Sequence, residues 1–142
     1  MCTGADPLVR AVLDPNALVS AALSRAGTPA KLLRAWLDGA FELIVSAQLL
    51  DELTRVLAYP KIASRVSEQD ADEYVALLSG YAITVSDPPG PPTVRSTDPD
   101  DDYLIALAHA ASAMLVTGDS DLLVLRDRIP VRTPAEFHEL LG

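Results

Sequence analysis

Short apolar runs alternate with stretches of helical spacing along the chain. Residues 8–13 read as a short buried strand, and residues 16–23 as a helix entered directly from it. Gly27-Thr28-Pro29 breaks that helix and starts another, with Thr28 as its cap and Pro29 at the first helical position. Leu32, Leu33, Trp36 and Leu37 keep helical spacing until Gly39. Residues 41–45 are a second strand pattern, and Ser46 caps a helix to about Ala58, stopped by Pro60. After a turn at 61–66, a helix runs from about Ser67 to Ser79 and Gly80 closes it; residues 81–85 are a third strand. Asp87-Pro88-Pro89-Gly90-Pro91-Pro92 is a rigid loop. Another strand–helix pattern follows it, so the loop is a surface excursion and not a linker. Residues 99–112 read as a helix with Asp98 as N-cap, 114–117 as a strand, and 129–132 as a small fifth strand. A short helix begins near Asp119, and Thr133-Pro134 caps a final helix to Leu141. The alternation predicts an α/β fold with a mostly parallel sheet of about five strands, covered by helices on both faces.

Acidic residues fall at particular points of this pattern. Asp14 ends the first run, Asp119 follows Leu115-Val116-Thr117-Gly118, Asp98-Pro99-Asp100-Asp101-Asp102 opens a helix, and Glu52 lies within one. Carboxylates just past strand ends converge on one edge of an α/β sheet, where ligands bind. Gathered carboxylates repel one another unless a hard cation joins them, and Mg²⁺ and Mn²⁺ prefer oxygen ligands. The pattern points to a metal-dependent enzyme acting on phosphate esters.

Each acid also has a plainer role. Asp14 suits a helix N-cap, and Gly118-Asp119-Ser120, flanked by Asp121, suits a turn. Acids in a first helical turn complement the macrodipole, although four in the five positions 98–102 exceed what capping needs. Around Glu52, geometry separates neighbours. Leu49, Leu50, Leu53, Val56 and Leu57 form the apolar stripe; at ~100° per residue, Asp51 points away from it and Glu52 falls on its flank. Residues 103–108 are apolar all round, so periodicity cannot choose the inward aspartate of the 98–102 cluster. His109 and His138 have no second histidine or cysteine at ligand spacing, which argues against zinc. There is no phosphate-binding glycine loop and no Gly-x-Ser-x-Gly elbow.

Composition adjusts this picture. A chain of 142 residues, 49% hydrophobic, fits one domain over 1–142, with residues 1–7 as a loose N-terminus. No apolar run approaches the ~18 residues of a membrane span. The N-terminus lacks the pattern of a signal peptide, and the single Cys2 cannot form an internal disulfide, so a cytoplasmic location is expected. The net charge of −9 opposes a simple nucleic-acid binder, which carries a basic face. Bound divalent ions would reverse the local potential at an acidic site, and an acidic surface also attracts basic partners.

With these residues in place, the chain resembles the PIN-domain family, in the branch related to VapC-type ribonucleases of toxin–antitoxin systems. Val12-Leu13-Asp14-Pro15-Asn16-Ala17 is similar to the first motif, and Leu49-Leu50-Asp51-Glu52-Leu53 to the second. Asp98-Pro99-Asp100-Asp101-Asp102-Tyr103-Leu104-Ile105-Ala106 is similar to the third, and Val116-Thr117-Gly118-Asp119-Ser120-Asp121 to the fourth. Each motif alone is weak; four in order and at the right spacing are specific. The resemblance implies a three-layer α/β/α domain whose metal-binding and catalytic carboxylates are Asp14, Glu52, Asp102 and Asp119, supported by Asn16 and Asp121. It favours Asp102 over Asp100 and Asp101. It implies Mg²⁺ or Mn²⁺ as cofactor, RNA as substrate, a small antitoxin protein as partner, and a homodimer. One position departs from the family: Pro15 stands where threonine or serine is usual, removing a hydroxyl and a backbone donor next to Asp14. The competing reading is a catalytically weak PIN-like protein-interaction module. A haloacid-dehalogenase-like phosphatase needs an acid where Asn16 stands, and a receiver domain needs a late lysine, whereas none follows Lys61.

Overall fold

The computed structural model describes residues 9–142. The expected loose segment 1–7, Cys2 and the first residue of the predicted 8–13 strand lie outside the described residues. Five strands, β1 (Arg10–Leu13), β2 (Glu42–Val45), β3 (Ile83–Thr84), β4 (Met114–Val116) and β5 (Val131–Arg132), form one sheet in the order β3-β2-β1-β4-β5. Every neighbouring pair is parallel. The central strands are buried on both sides, with Val12, Leu13, Leu43, Ile44, Val45 and Val116 all inaccessible. That is why they read as unbroken apolar runs and not as alternating ones. Helices cover both faces, giving the expected three-layer α/β/α architecture.

The crossovers are α1 (Pro15–Leu23) and α2 (Thr28–Leu37) between β1 and β2, then α3 (Ala47–Leu57), α4 (Pro60–Ala63) and α5 (Glu68–Tyr81) before β3. A 3₁₀ turn (Pro99–Asp101) and α6 (Asp102–Ala110) lead into β4, α7 (Ser120–Leu123) precedes β5, and α8 (Pro134–Leu140) ends the fold. Ser46 caps α3 as expected, accepting from Leu49 N–H. Thr133 and Glu136 close a reciprocal capping box at α8. Phe137 of α8 meets Phe41 edge to face, ring centroids 5.0 Å apart, which pins α8 near the start of β2.

Three local expectations change. Gly27, not Thr28, is the N-cap of α2, and Thr28 is already helical. Gly80 does not stop α5, which continues to Tyr81; the glycine takes no positive φ there, so nothing forces an end. The predicted 99–112 helix is two elements, because Asp98 accepts from Asp100 N–H and starts a tight 3₁₀ turn before α6 begins.

Candidate active site

The chain builds outward from β1 to β2 and β3, then returns to the other side of β1 for β4 and β5. In a parallel sheet, that reversal leaves a crevice beyond the carboxyl ends of the two strands at the switch. Asp14 follows β1 at this crevice, and Asp119 follows β4 after Thr117 and Gly118. Both bound a cleft of about 350 Å³ together with Asn16, Ala17, Ser20, Pro29, Gly118 and Pro134. A larger cavity, about 720 Å³, touches Arg10 and Glu42 at the opposite strand ends and contains none of the expected acids.

Register explains how Asp14 is held. Leu13 pairs with Val116, so Asp14 and Thr117 are the next residues along adjacent strands. Thr117 is fully buried. Its hydroxyl donates to Asp14 Oδ2 at 2.7 Å and accepts from Asp119 N–H at 3.0 Å. Asn16 N–H donates to Asp14 Oδ1 at 2.9 Å, the N-cap geometry of α1. Asp14 is therefore both helix cap and crevice acid, and only 4% of its surface is exposed. Burial pushes its carboxyl above the ordinary carboxylate range; Thr117 and Asn16 oppose this, while Glu52 and Asp119 add to it. Pro15 takes the first position of α1 and brings no hydroxyl; Thr117 supplies one to Asp14 from the neighbouring strand.

Glu52 projects from the flank of α3 and is half-buried, whereas Asp51 is exposed, as the stripe geometry requires. Tyr103 of α6 donates its phenol to Glu52 Oε2. Arg55, one turn along and largely exposed, lies 3.6 Å from Oε1. Burial and the Glu52 carboxylate push the Tyr103 phenol upward, so it stays a donor.

In the third motif two neighbouring aspartates have different surroundings. Asp102 Oδ1 accepts from Ser96 N–H at 2.8 Å, which ties down the end of the proline-rich loop. Asp101, its neighbour along the chain, is perturbed by the crevice acids. Its carboxyl is pushed up to about 7, first by burial, then by Asp119, with Asp98 and Asp14 adding to the shift. Its Oδ2 is buried without a partner among the described residues. The expected supporting residues touch the acids through the main chain: Asn16 as above, and Asp121 by donating its N–H to Asp119 Oδ1 at 2.9 Å.

Sequence reasoning passed over Thr117 and Tyr103, and the resemblance ranked Asp101 below Asp102. Thr117 had a signal, a hydroxyl residue at a strand end two before an acid, but its use depends on the β1–β4 register. Tyr103 is the one hydroxyl-bearing residue in the otherwise aliphatic stretch 103–108.

The available donors are all carboxylate oxygens, the hard ligands that Mg²⁺ and Mn²⁺ take. Among the described residues, no three acidic, histidine or cysteine side chains are already drawn into a metal-ligating group. Asp14 uses both oxygens, and Glu52 and Asp119 one each, in hydrogen bonds within the fold. The orphaned Asp101 Oδ2 and the raised carboxyls are the features a divalent cation would relieve, so the donor set fits such an ion.

Comparison with known proteins agrees with this architecture. A protein of Methanocaldococcus jannaschii described as uncharacterized, MJ1680, is 26% identical over 92% of this chain and 90% of its own length. The crystal structure of PAE2754 from Pyrobaculum aerophilum superposes with a TM-score of 0.68 at 18% identity, over 94% of this chain and 89% of that one, a likeness of fold. The family model described as PIN domain matches residues 10–121, a span that includes Asp14, Glu52, Asp101, Asp102 and Asp119. On that match, and on a crevice of acids at the switch point of a parallel sheet, the chain belongs to the PIN domain family.

Proposed function

We propose that the protein is a divalent-metal-dependent endoribonuclease, the toxin of a toxin–antitoxin pair, acting in the cytoplasm. PIN domains are typically nucleases and generally use divalent metals. One observation carries the reading: Asp119 pushes up the carboxyls of both Asp14 and Asp101 beside the switch-point crevice, Asp14 adds to the shift of Asp101, and Asp101 leaves a buried oxygen unsatisfied. Perturbed, partnered acids in a cleft are the physical mark of a functional site. Asp14, Glu52, Asp102 and Asp119, with Asp101 beside them, would hold Mg²⁺ or Mn²⁺, which would supply the positive charge that admits an RNA phosphate and steadies the leaving oxygen.

The chain's own groups do the rest. Thr117 fixes the Asp14 carboxylate through Oδ2 and the Asp119 main chain through its N–H, so the two strand ends are set against each other. Tyr103 holds Glu52 by Oε2 and Arg55 stands 3.6 Å from Oε1, so the two would set how this carboxylate orients an attacking water. The net charge of −9 suits a small basic antitoxin as partner, and a homodimer completes the assembly. Among the described residues, no helix is long and apolar enough to cross a membrane.

The test is cleavage of a pool of structured RNAs with Mg²⁺, Mn²⁺ or a chelator. Cleavage should require the metal and disappear in Asp14→Asn and Asp101→Asn. Activity that survives both the chelator and Asp14→Asn would overturn the assignment. Bound metal with no cleavage under any condition would favour the protein-interaction module.

A further inference from the structure

The cleft beside Asp14 and Asp119 has a feature that the carboxylates do not explain. Its walls away from the acids are Ala17, Pro29 and Pro134, small or flat apolar groups, with Asn16 and Ser20 exposed at the rim. Asn16 and Ser20 lie one turn apart on α1 and frame Ala17. Gly118 closes the cleft floor next to Asp119. Its φ is not positive, and a Cβ built there meets nothing within 4 Å. Neither backbone conformation nor packing demands glycine at this position. What a side chain would occupy is the open space of the cleft.

We propose that this cleft is a nucleobase subsite: it seats the base of a nucleotide flanking the scissile phosphate, and Gly118 keeps it open. The inference rests on the ribonuclease reading for its place beside the reacting phosphate, but not for binding itself. The lining selects the ligand class. No lysine or arginine lines the cleft while two aspartates do, so a second phosphate is disfavoured there. A neutral heteroaromatic ring is not. The two pyrrolidine rings and Ala17 give apolar contact to its faces, and a volume of about 350 Å³ lies at the lower end of the range for small-molecule pockets. The Asn16 amide carries a donor and an acceptor side by side, the pattern that reads adjacent donor and acceptor atoms on a base edge. The Asn16 backbone N–H is committed to Asp14, which places this residue beside the acids while its exposed side chain stays available to a ligand.

The experiment titrates ¹⁵N-labelled protein with 5′-mononucleotides and, separately, inorganic phosphate, both in Mg²⁺, and follows amide shifts. Mononucleotides should move the amides of Ala17 and Ser20 in a saturable way, whereas phosphate alone should leave these two in place and shift at most the residues next to the acids. Gly118→Val should weaken that binding at least tenfold with thermal unfolding unchanged. Ser20→Leu, at an exposed helical position, should narrow the rim and weaken it as well, so the outcome does not hang on one variant's folding. Shifts confined to other surfaces, or undiminished binding in both variants, would overturn the subsite. Saturable binding here by a protein that never cleaves RNA would sink the ribonuclease reading and leave the subsite standing. RNA cleavage with unaltered KM and cut positions in Gly118→Val would do the reverse.

Discussion

Asp14 and Asp101 show how one residue type serves two ends. Asp14 caps α1, which by itself accounts for a buried aspartate. What capping does not account for is Thr117, a buried hydroxyl placed on the second oxygen. Thr117→Val keeps the shape and removes that donor along with the acceptor for Asp119 N–H. It should cost about 1–3 kcal/mol, the penalty for stranding buried polar groups, and should also reduce metal-induced stabilisation. Urea denaturation with and without Mn²⁺ measures both, and an unchanged metal increment would show that Thr117 only supports the fold. Asp101 makes a prediction with a definite sign. Its carboxyl is raised from 3.8 to about 7, so the folded chain holds that proton more tightly than the unfolded chain does. The stability it contributes is full below pH 3.8 and is lost as pH rises through about 7. In chelator, the melting temperature should fall across that window, and Asp101→Asn should flatten the fall. A slope equally steep in the variant would remove Asp101 from the cluster.

Between elements, the proline-rich loop is tied at both ends. Asp87 accepts from Gln48 N–H at the start of α3, 2.9 Å away, and Asp102 accepts from Ser96 N–H before the 3₁₀ turn. Asp102→Ala should speed amide exchange at Ser96 by roughly tenfold, one hydrogen bond's worth of local protection. Asp101→Ala should leave Ser96 as it is; equal effects would mean that the two aspartates are not divided between tether and crevice. The choice between the two aspartates was not legible in the sequence, and the reason is geometric. A 3₁₀ turn advances by three residues per turn and α6 by 3.6, so no single helical projection runs through 98–105. The apolar surround of residues 103–108 removes the other guide. Strands β1, β2 and β4 were legible because doubly buried parallel strands leave unbroken apolar runs, and Ser46 and Thr133 were legible because capping needs only local chemistry. Glu52 was separable from Asp51 because α3 has one clean stripe. Thr117 was not, since its partner lies across a register that only the assembled sheet defines.

For the molecule as a whole, the acids pose a single electrostatic problem. The chain carries a net charge of −9, and the crevice concentrates part of it where burial already disfavours ionisation. A divalent cation that binds the folded state and not the unfolded one should stabilise by about 2.7 kcal/mol at a hundredfold excess over its Kd. For a chain of this size, that corresponds to a melting-temperature rise of roughly 5–10 °C. General screening of a −9 surface also stabilises, so the comparison needs NaCl at matched ionic strength, which relieves diffuse repulsion without ligating. Two variants then separate site from surface. Asp14→Asn removes one charge from the crevice, and Asp51→Asn removes one from the exposed side of α3. Both change net charge equally, so any difference in metal response comes from position. Mn²⁺ should raise the melting temperature of the wild type and of Asp51→Asn alike, and that of Asp14→Asn by less than half as much. If NaCl reproduces the Mn²⁺ effect, or if the two variants respond identically, the acids are a charged surface and not a metal site.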